Sequence, residues 1–279
     1  MCLPGTVETV REASERGEVP AISRRAALAG GGAAALALLA PSAAESRTLA
    51  RKRRRVADLT HVFRAGFPVY TGAAPVRRDL KTHAVDGFYS QEWTFGEHSG
   101  THMDAPGHFV EGRRLVTQLR PEELFAPIAV VDISARAARN PDAEVRPADL
   151  RRYERRYGRI PRGAAVLMNS GWDARAADAV RFKNADVSGT YHFPGFGEDA
   201  VTWLLERRRP GVIGVDTMSL DPGTSTSFAV HVNWLGTDRY GLEGVANLGS
   251  IPPRGAQLIV GVIPWEEGSG GPCRLFARY

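Results

Sequence analysis

Between residues 127 and 263, short apolar runs rich in β-branched residues alternate with charged segments whose apolar residues recur at helical spacing. Strands interleaved with helices in this way imply an α/β domain on a mixed sheet. Pro127 to Ile133 reads as a buried strand. Arg146 to Tyr157 reads as a surface helix, with Leu150, Tyr153 and Tyr157 in register and Gly158 and Pro161 ending it. Ala164 to Met168 is the next strand and runs into Gly171 and Trp172. Gly197 to Arg209 carries Ala200, Val201, Leu204 and Leu205 on one face. Pro210 and Gly211 stop that helix, and Val212 to Asp216 opens a strand almost at once; Gln257 to Ile263 is the last clear strand. With 279 residues, 43% of them hydrophobic and 24% charged, the chain is long enough to bury a sizeable core. Disordered, collagen-like and disulfide-framework classes do not fit that composition.

The segment before this domain reads as an address. Arg24 and Arg25 precede an apolar, small-residue stretch from Ala26 to Ala40, and Pro41 to Ala44 suits cleavage before Glu45. The paired arginines resemble a twin-arginine export signal, which implies a periplasmic or extracellular location. The stretch falls short of the roughly 20 strongly apolar residues of a spanning helix, and Gly30 to Gly32 weaken it further, so no stable membrane anchor is expected. Three segments follow: a twin-arginine-type signal at 1–44, a basic flexible lead-in at 45–57 and one domain at 58–279.

The formal charge of +5 is carried mostly by Arg, and part of it sits in the single run Arg51 to Arg55. A local run is not a basic face, and nucleic acid is not an expected partner. Cys2 falls within the signal, which leaves Cys273 alone and permits no internal disulfide. A bound metal would therefore rest mainly on N and O ligands.

The chemistry concentrates in one stretch, His98-Ser99-Gly100-Thr101-His102-Met103-Asp104-Ala105-Pro106-Gly107-His108-Phe109. His98, His102, Asp104 and His108 all occupy even positions, so an extended backbone points them toward one side. Gly100 and Pro106 argue against a helix, and a loop bent at those two residues converges the four groups on one ion. Imidazole nitrogens and a carboxylate oxygen suit Zn²⁺ or Mn²⁺. A metal site with open positions lowers the pKa of its water and then needs an acid or base nearby. His108, beyond the Pro-Gly bend, is the candidate for that role. His61, His83 and His192 are isolated and read as ordinary histidines, His61 being the one nearest the start of the domain.

This stretch resembles the signature of the cyclase family of metal-dependent hydrolases, His-x-Gly-Thr-His-x-Asp-x-Pro-x-His-Phe, at every defined position. The family includes bacterial kynurenine formamidases and isatin hydrolases. Further likeness extends over about residues 58–279, at Asp58 to His61, Ser170 to Trp172, Gly214 to Asp221 and Gly271 to Arg274. The resemblance implies a swivelling β/β/α domain with a mixed sheet, usually assembled as homo-dimers or homo-tetramers. It implies that His98, His102 and Asp104 are metal ligands, with Asp104 able to bridge a second ion. His231 and Glu243 would complete the site, and His108 would be the acid/base. Neither His231 nor Glu243 stands out from the residues alone, since an isolated Glu is ordinarily a solvated side chain. One departure is visible: kynurenine formamidases pair two histidines at the second half-site, where this chain has His231 and Val232.

The expected activity is metal-dependent hydrolysis of a small amide, formamide or lactam, acting on a carbon–nitrogen bond with one or two Zn²⁺ or Mn²⁺ ions. Phe63, Phe67, Phe88, Trp93 and Phe193 are candidates to line an apolar substrate pocket. A ring-closing cyclase or dehydratase would use the same Lewis acid but consume no water. An exported metal-binding protein without turnover is the reading from another class, and it gives His108 no task.

Overall fold

The four consecutive apolar residues Ile128 to Val131 are all buried, which a strand permits only when both of its faces are covered. The computed structural model describes residues 55–279; the expected signal at 1–44, and the lead-in up to Arg54, lie outside the described residues. In chain order the strands are β1 (Val56–Asp58), β2 (Val76–Lys81), β3 (Ser90–Thr94), β4 (His102–Asp104), β5 (Phe125–Asp132), β6 (Glu144–Val145), β7 (Ala165–Asn169), β8 (Gly195–Phe196), β9 (Val212–Val215), β10 (Tyr240–Glu243), β11 (Arg254–Val262) and β12 (Gly270–Arg278). The α-helices are α1 (His83–Asp86), α2 (Ser134–Ala137), α3 (Pro147–Tyr157), α4 (Ala179–Lys183), α5 (Glu198–Arg207) and α6 (Ala229–Leu235). None of the described helices is long and apolar enough to cross a membrane.

The expected strands and helices are present, with small shifts at their ends. Strand structure begins at Val56, inside the segment expected to be a flexible lead-in, because β1 pairs antiparallel with β12, Val56 opposite Arg278. Helix α5 ends at Arg207, two residues early. Strand β9 ends at Val215, since the Asp216 side chain turns to accept from Ser170 N (2.8 Å), Ser170 Oγ (2.5 Å) and Trp172 N (3.1 Å). Burial pushes the Asp216 carboxyl up to about 7, against the pull of those donors.

Among the described residues, 78–92 fall outside the larger compact unit; within this hairpin Arg78 clamps Glu92 through two bonds of 2.6 and 2.8 Å. The larger unit holds the other described residues. Its sheet is mixed: β5, β7, β9 and β10 run parallel, while β11 and β12 join antiparallel beyond β5. At the other end β4 pairs antiparallel with β10 and also with β12, so the sheet closes on itself like a barrel. Alternate residues of the parallel strands face two different cores. Ile128, Val130, Leu167, Val212 and Leu242 point inward with Met103, Leu258 and Leu275. Val131, Val166, Met168, Ile213 and Val215 point outward, where Leu150 and Tyr153 of α3, Val201 and Leu204 of α5, and Trp234 of α6 cover them. The result, within the larger unit, is the expected β/β/α arrangement on a mixed sheet.

Helix α3 starts where Pro147 takes the first position, and the Asp149 carboxylate accepts from Arg146 N (2.9 Å). The turn after β4 is tied down from outside: Gly107 N donates to Arg114 O (2.9 Å). The Arg114 guanidinium grips Glu123 with two bonds (2.9 and 3.0 Å) and Asp238 through Nε (2.6 Å). That two-pronged grip holds the Glu123 carboxyl down to about 2, below its ordinary 4.5. A carboxyl depressed on folding adds stability above its unfolded pKa and loses it as pH falls toward the folded value. Glu123→Gln should therefore lower unfolding free energy by about 1–2 kcal/mol at pH 7 in urea titration. The gap from wild type should shrink between pH 4.5 and about 2; a pH-independent gap would refute this account.

Candidate active site

Strand β4 contributes two of the expected site residues and sets the register of a third. Its middle residue, Met103, is fully buried in the barrel interior, so His102 and Asp104 on either side face the opposite way. Pairing with β10 puts Glu243 directly opposite His102. The turn into β4 passes through Gly100 at φ +70°, with the Phe63 ring packed where a side chain would stand. This turn brings His98 back, so that its Nδ1 lies 2.7 Å from Asp104 Oδ1. After β4, Pro106–His108 form a single 3₁₀ turn, and the His108 ring stacks on His98 with centroids 3.7 Å apart. The bends fall at Gly100 and Pro106 as expected, but the four groups do not lie along one extended stretch. Only His102 and Asp104 share a strand face; the two turns deliver His98 and His108.

The second half of the site comes from α6 and β10. His231 Nε2 lies 3.0 Å from Glu243 Oε1 and 3.6 Å from Asp104 Oδ2, and His102 Nε2 lies 3.3 Å from Glu243 Oε2 and 3.4 Å from Asp104 Oδ1. All six expected site residues are thus gathered in one place. Donor atoms of His102, Asp104 and Glu243 fall within 4.8 Å of one another, as do those of His98, Asp104 and His108.

Each of the three imidazoles nearest the carboxylates is turned by a partner on its far nitrogen. His102 Nδ1–H donates to Gly100 O (3.0 Å), leaving Nε2 for the cluster. His231 Nδ1–H donates to Asp221 Oδ2 (2.5 Å). The buried Asp221 also accepts from Val230 N (2.9 Å) and His231 N (3.0 Å), so it holds the start of α6 as well. His98 Nε2 pairs with Ser269 Oγ (3.0 Å), which donates to Glu97 Oε2 (2.6 Å). Sequence reasoning did not assign these partners. Ser269 lies 171 residues from His98, and no spacing signals the pair.

Charge in the cluster is unusually concentrated. Burial works against protonating His102, yet the Asp104 and Glu243 carboxylates close to its Nε2 outweigh it and push the imidazole up to about 10. His231 is pushed well up against its burial by Asp104, Asp221 and Glu243, and Asp104 is held well down against its own burial by His102, His231 and His98. His108 goes the other way: burial pushes it down to about 4, so it is neutral at pH 7. Two buried atoms, His102 Nε2 and Asp104 Oδ2, lack a protein hydrogen-bond partner although they face the middle of the cluster. Imidazole and carboxylate donors converging on one point, two of them otherwise unsatisfied, fit a divalent metal ion. Cys273, the one thiol among the described residues, is buried and its pKa is pushed up by burial.

The cluster opens into a cavity of about 530 Å³ in the larger unit. Of the aromatic residues expected to line a pocket, Phe67 does so. Phe63 instead packs on Trp93, Phe95 and the Gly100 turn, Phe193 is core, and Phe88 sits on the hairpin arm. The apolar wall is made by Tyr70, Phe95, Phe109, Phe182, Met218 and Phe228. His192 engages Asp142 (2.9 Å) away from the site, and His61 packs beside Phe67.

The chain is similar to known proteins over most of the described residues. The chain is 36% identical over 209 residues to the isatin hydrolase of Roseibium aggregatum, covering 71% of this chain and 78% of that protein. It is 25% identical over 230 residues to the kynurenine formamidase of Erythrobacter litoralis, covering 82% and 95%. The solved structure of isatin hydrolase A from Ralstonia solanacearum superposes with a TM-score of 0.78 at 34% identity, over 86% of this chain and 99% of that one. The Cyclase family model matches residues 57–222, more than half of the 279 residues, and the chain belongs to that family.

Proposed function

We propose that the protein is a metal-dependent hydrolase that opens the C–N bond of a small, uncharged aromatic lactam or amide, with isatin as the reference substrate. The observation that carries this reading is the pairing of a five-residue imidazole–carboxylate cluster with an aromatic cavity that, among the described residues, no lysine or arginine lines. N-formylkynurenine carries an α-carboxylate, which would enter this cavity without a cationic side chain to pair with. Isatin is flat and neutral and asks for no such partner. The higher identity to an isatin hydrolase than to a kynurenine formamidase supports the same choice.

His98, His102, Asp104, His231 and Glu243 are the residues that would hold the metal, one or two ions of Zn²⁺ or Mn²⁺. When bound, the metal supplies Lewis acidity toward a carbonyl and lowers the pKa of water. The chain's own residues do the rest. Gly100 O, Asp221 and Ser269 fix the three imidazoles so that the nitrogens facing the cluster would offer lone pairs once an ion displaced the protons the carboxylates favour there. His108, neutral at pH 7 and stacked on His98, takes a proton from the attacking water and returns it to the departing nitrogen. The aromatic wall excludes water around the substrate ring. Export through the twin-arginine-type signal and assembly as a homo-dimer or homo-tetramer complete the reading.

Full-length protein loaded with Mn²⁺ or Zn²⁺ should hydrolyse isatin with kcat/KM at least about tenfold above that for N-formylkynurenine, followed by absorbance. His108→Ala should lower kcat by roughly 10²–10⁴-fold with metal content unchanged. A preference for N-formylkynurenine, or full turnover by the variant, would overturn the assignment. Asp221→Asn should weaken metal binding about 10–100-fold in chelator competition, because His231 loses the carboxylate that orients it. Unaltered affinity would mean that Asp221 serves only the start of α6.

A further inference from the structure

Among the described residues, six buried side-chain polar atoms lack a protein hydrogen-bond partner, and three belong to residues lining the active-site cavity: His102 Nε2, Asp104 Oδ2 and Ser219 Oγ. A divalent ion accounts for the first two. It does not account for the third, because five imidazole and carboxylate donors already surround the ion and a neutral serine hydroxyl is not among the ligands such ions favour. Ser219 is 3% exposed. Its backbone is fixed on both sides: Thr217 Oγ1 donates to Ser219 O (3.2 Å), and Leu220 N donates to Glu243 Oε1 (2.8 Å). The residue therefore stands on the strap bonded to a proposed metal ligand, beside Met218 on the cavity wall. A buried hydroxyl with no partner is destabilising, and one that persists in a folded protein needs an explanation.

We infer that Ser219 is a substrate-binding residue whose hydroxyl donates a hydrogen bond to a carbonyl oxygen of the bound aromatic substrate. The inference rests on the hydrolase reading given above. It supplies what the buried carboxylates of the cavity cannot, since Asp104 and Glu243 only accept. A site built to hydrogen-bond a substrate group discriminates strongly against molecules that lack it. Ser219 thus sets specificity for carbonyl-rich ring systems, while the aromatic wall selects for shape.

The test compares wild type with Ser219→Ala and Ser219→Cys as metal-loaded full-length proteins. It reads metal content, thermal midpoint without substrate, and kcat and KM for isatin. For Ser219→Ala we expect full metal content, a Tm equal to wild type or up to about 4 °C higher, and kcat/KM lowered roughly 5–50-fold. Ser219→Cys, which keeps a weak donor at similar volume, should fall between the two. A kcat/KM within twofold of wild type overturns the inference, because the hydroxyl then makes no bond to the substrate. A Tm several degrees lower in both variants also overturns it, by assigning Ser219 a structural bond. If wild type does not open isatin, the hydrolase reading in its lactam form fails separately. The Tm of Ser219→Ala then decides: unchanged or raised marks a hydroxyl kept for a ligand, and a fall overturns it.

Discussion

The site is organised around one buried carboxylate. Asp104 is 1% exposed and lies within 3.6 Å of nitrogens from His98, His102 and His231. A charge so deeply buried is tolerated only when paired and hydrogen-bonded. Three separate pieces of chain must therefore arrive together: the turn before β4, the strand itself and the start of α6. The closing of the sheet serves this convergence. β4 is short, yet it is held on both sides, by β10 and by β12, and its central Met103 is anchored in the barrel core. The apolar interior thus supplies the rigidity that the polar cluster needs and cannot generate for itself.

Much of this was legible in the amino-acid sequence, and the reasons differ from part to part. The strands β5, β7 and β9 announce themselves because they are buried on both faces and so carry unbroken apolar runs. The helices α3 and α5 are visible because their outer faces are charged and their ends carry Pro or Gly signals. The His98 to His108 segment is legible because its groups are local and the two bends carry Gly and Pro. His231 and Glu243 are a different case. One sits on a helix and the other on a strand, and only tertiary pairing sets Glu243 opposite His102. Family resemblance pointed to them where residue spacing could not. The partners Ser269 and Glu97 were hidden for the same reason, since they meet across 172 residues of chain, whereas Asp221 lies ten residues before His231 but in no spacing that marks a pair.

The electrostatics divide the histidines by environment more than by sequence context. His102 and His231 stand among carboxylates and are pushed toward the charged form, whereas His108, only a few residues along, is pushed toward the neutral form by burial. A single twelve-residue segment thus carries imidazoles of opposite tendency. That separation of tendencies is what allows neighbouring histidines to take different tasks.

The double pairing of β4 also has a topological consequence. His98 and Ser269 stand 171 residues apart, and β12 closes against β4 across nearly the whole intervening chain. Contacts of such long range carry a loop-closure cost and form late. The ligand cluster is therefore a product of completed folding and not a nucleus for it. An immature chain offers scattered histidines and carboxylates, and the pocket gathers them only at the end. Any ion taken up here would then meet a closed barrel and not a half-formed one.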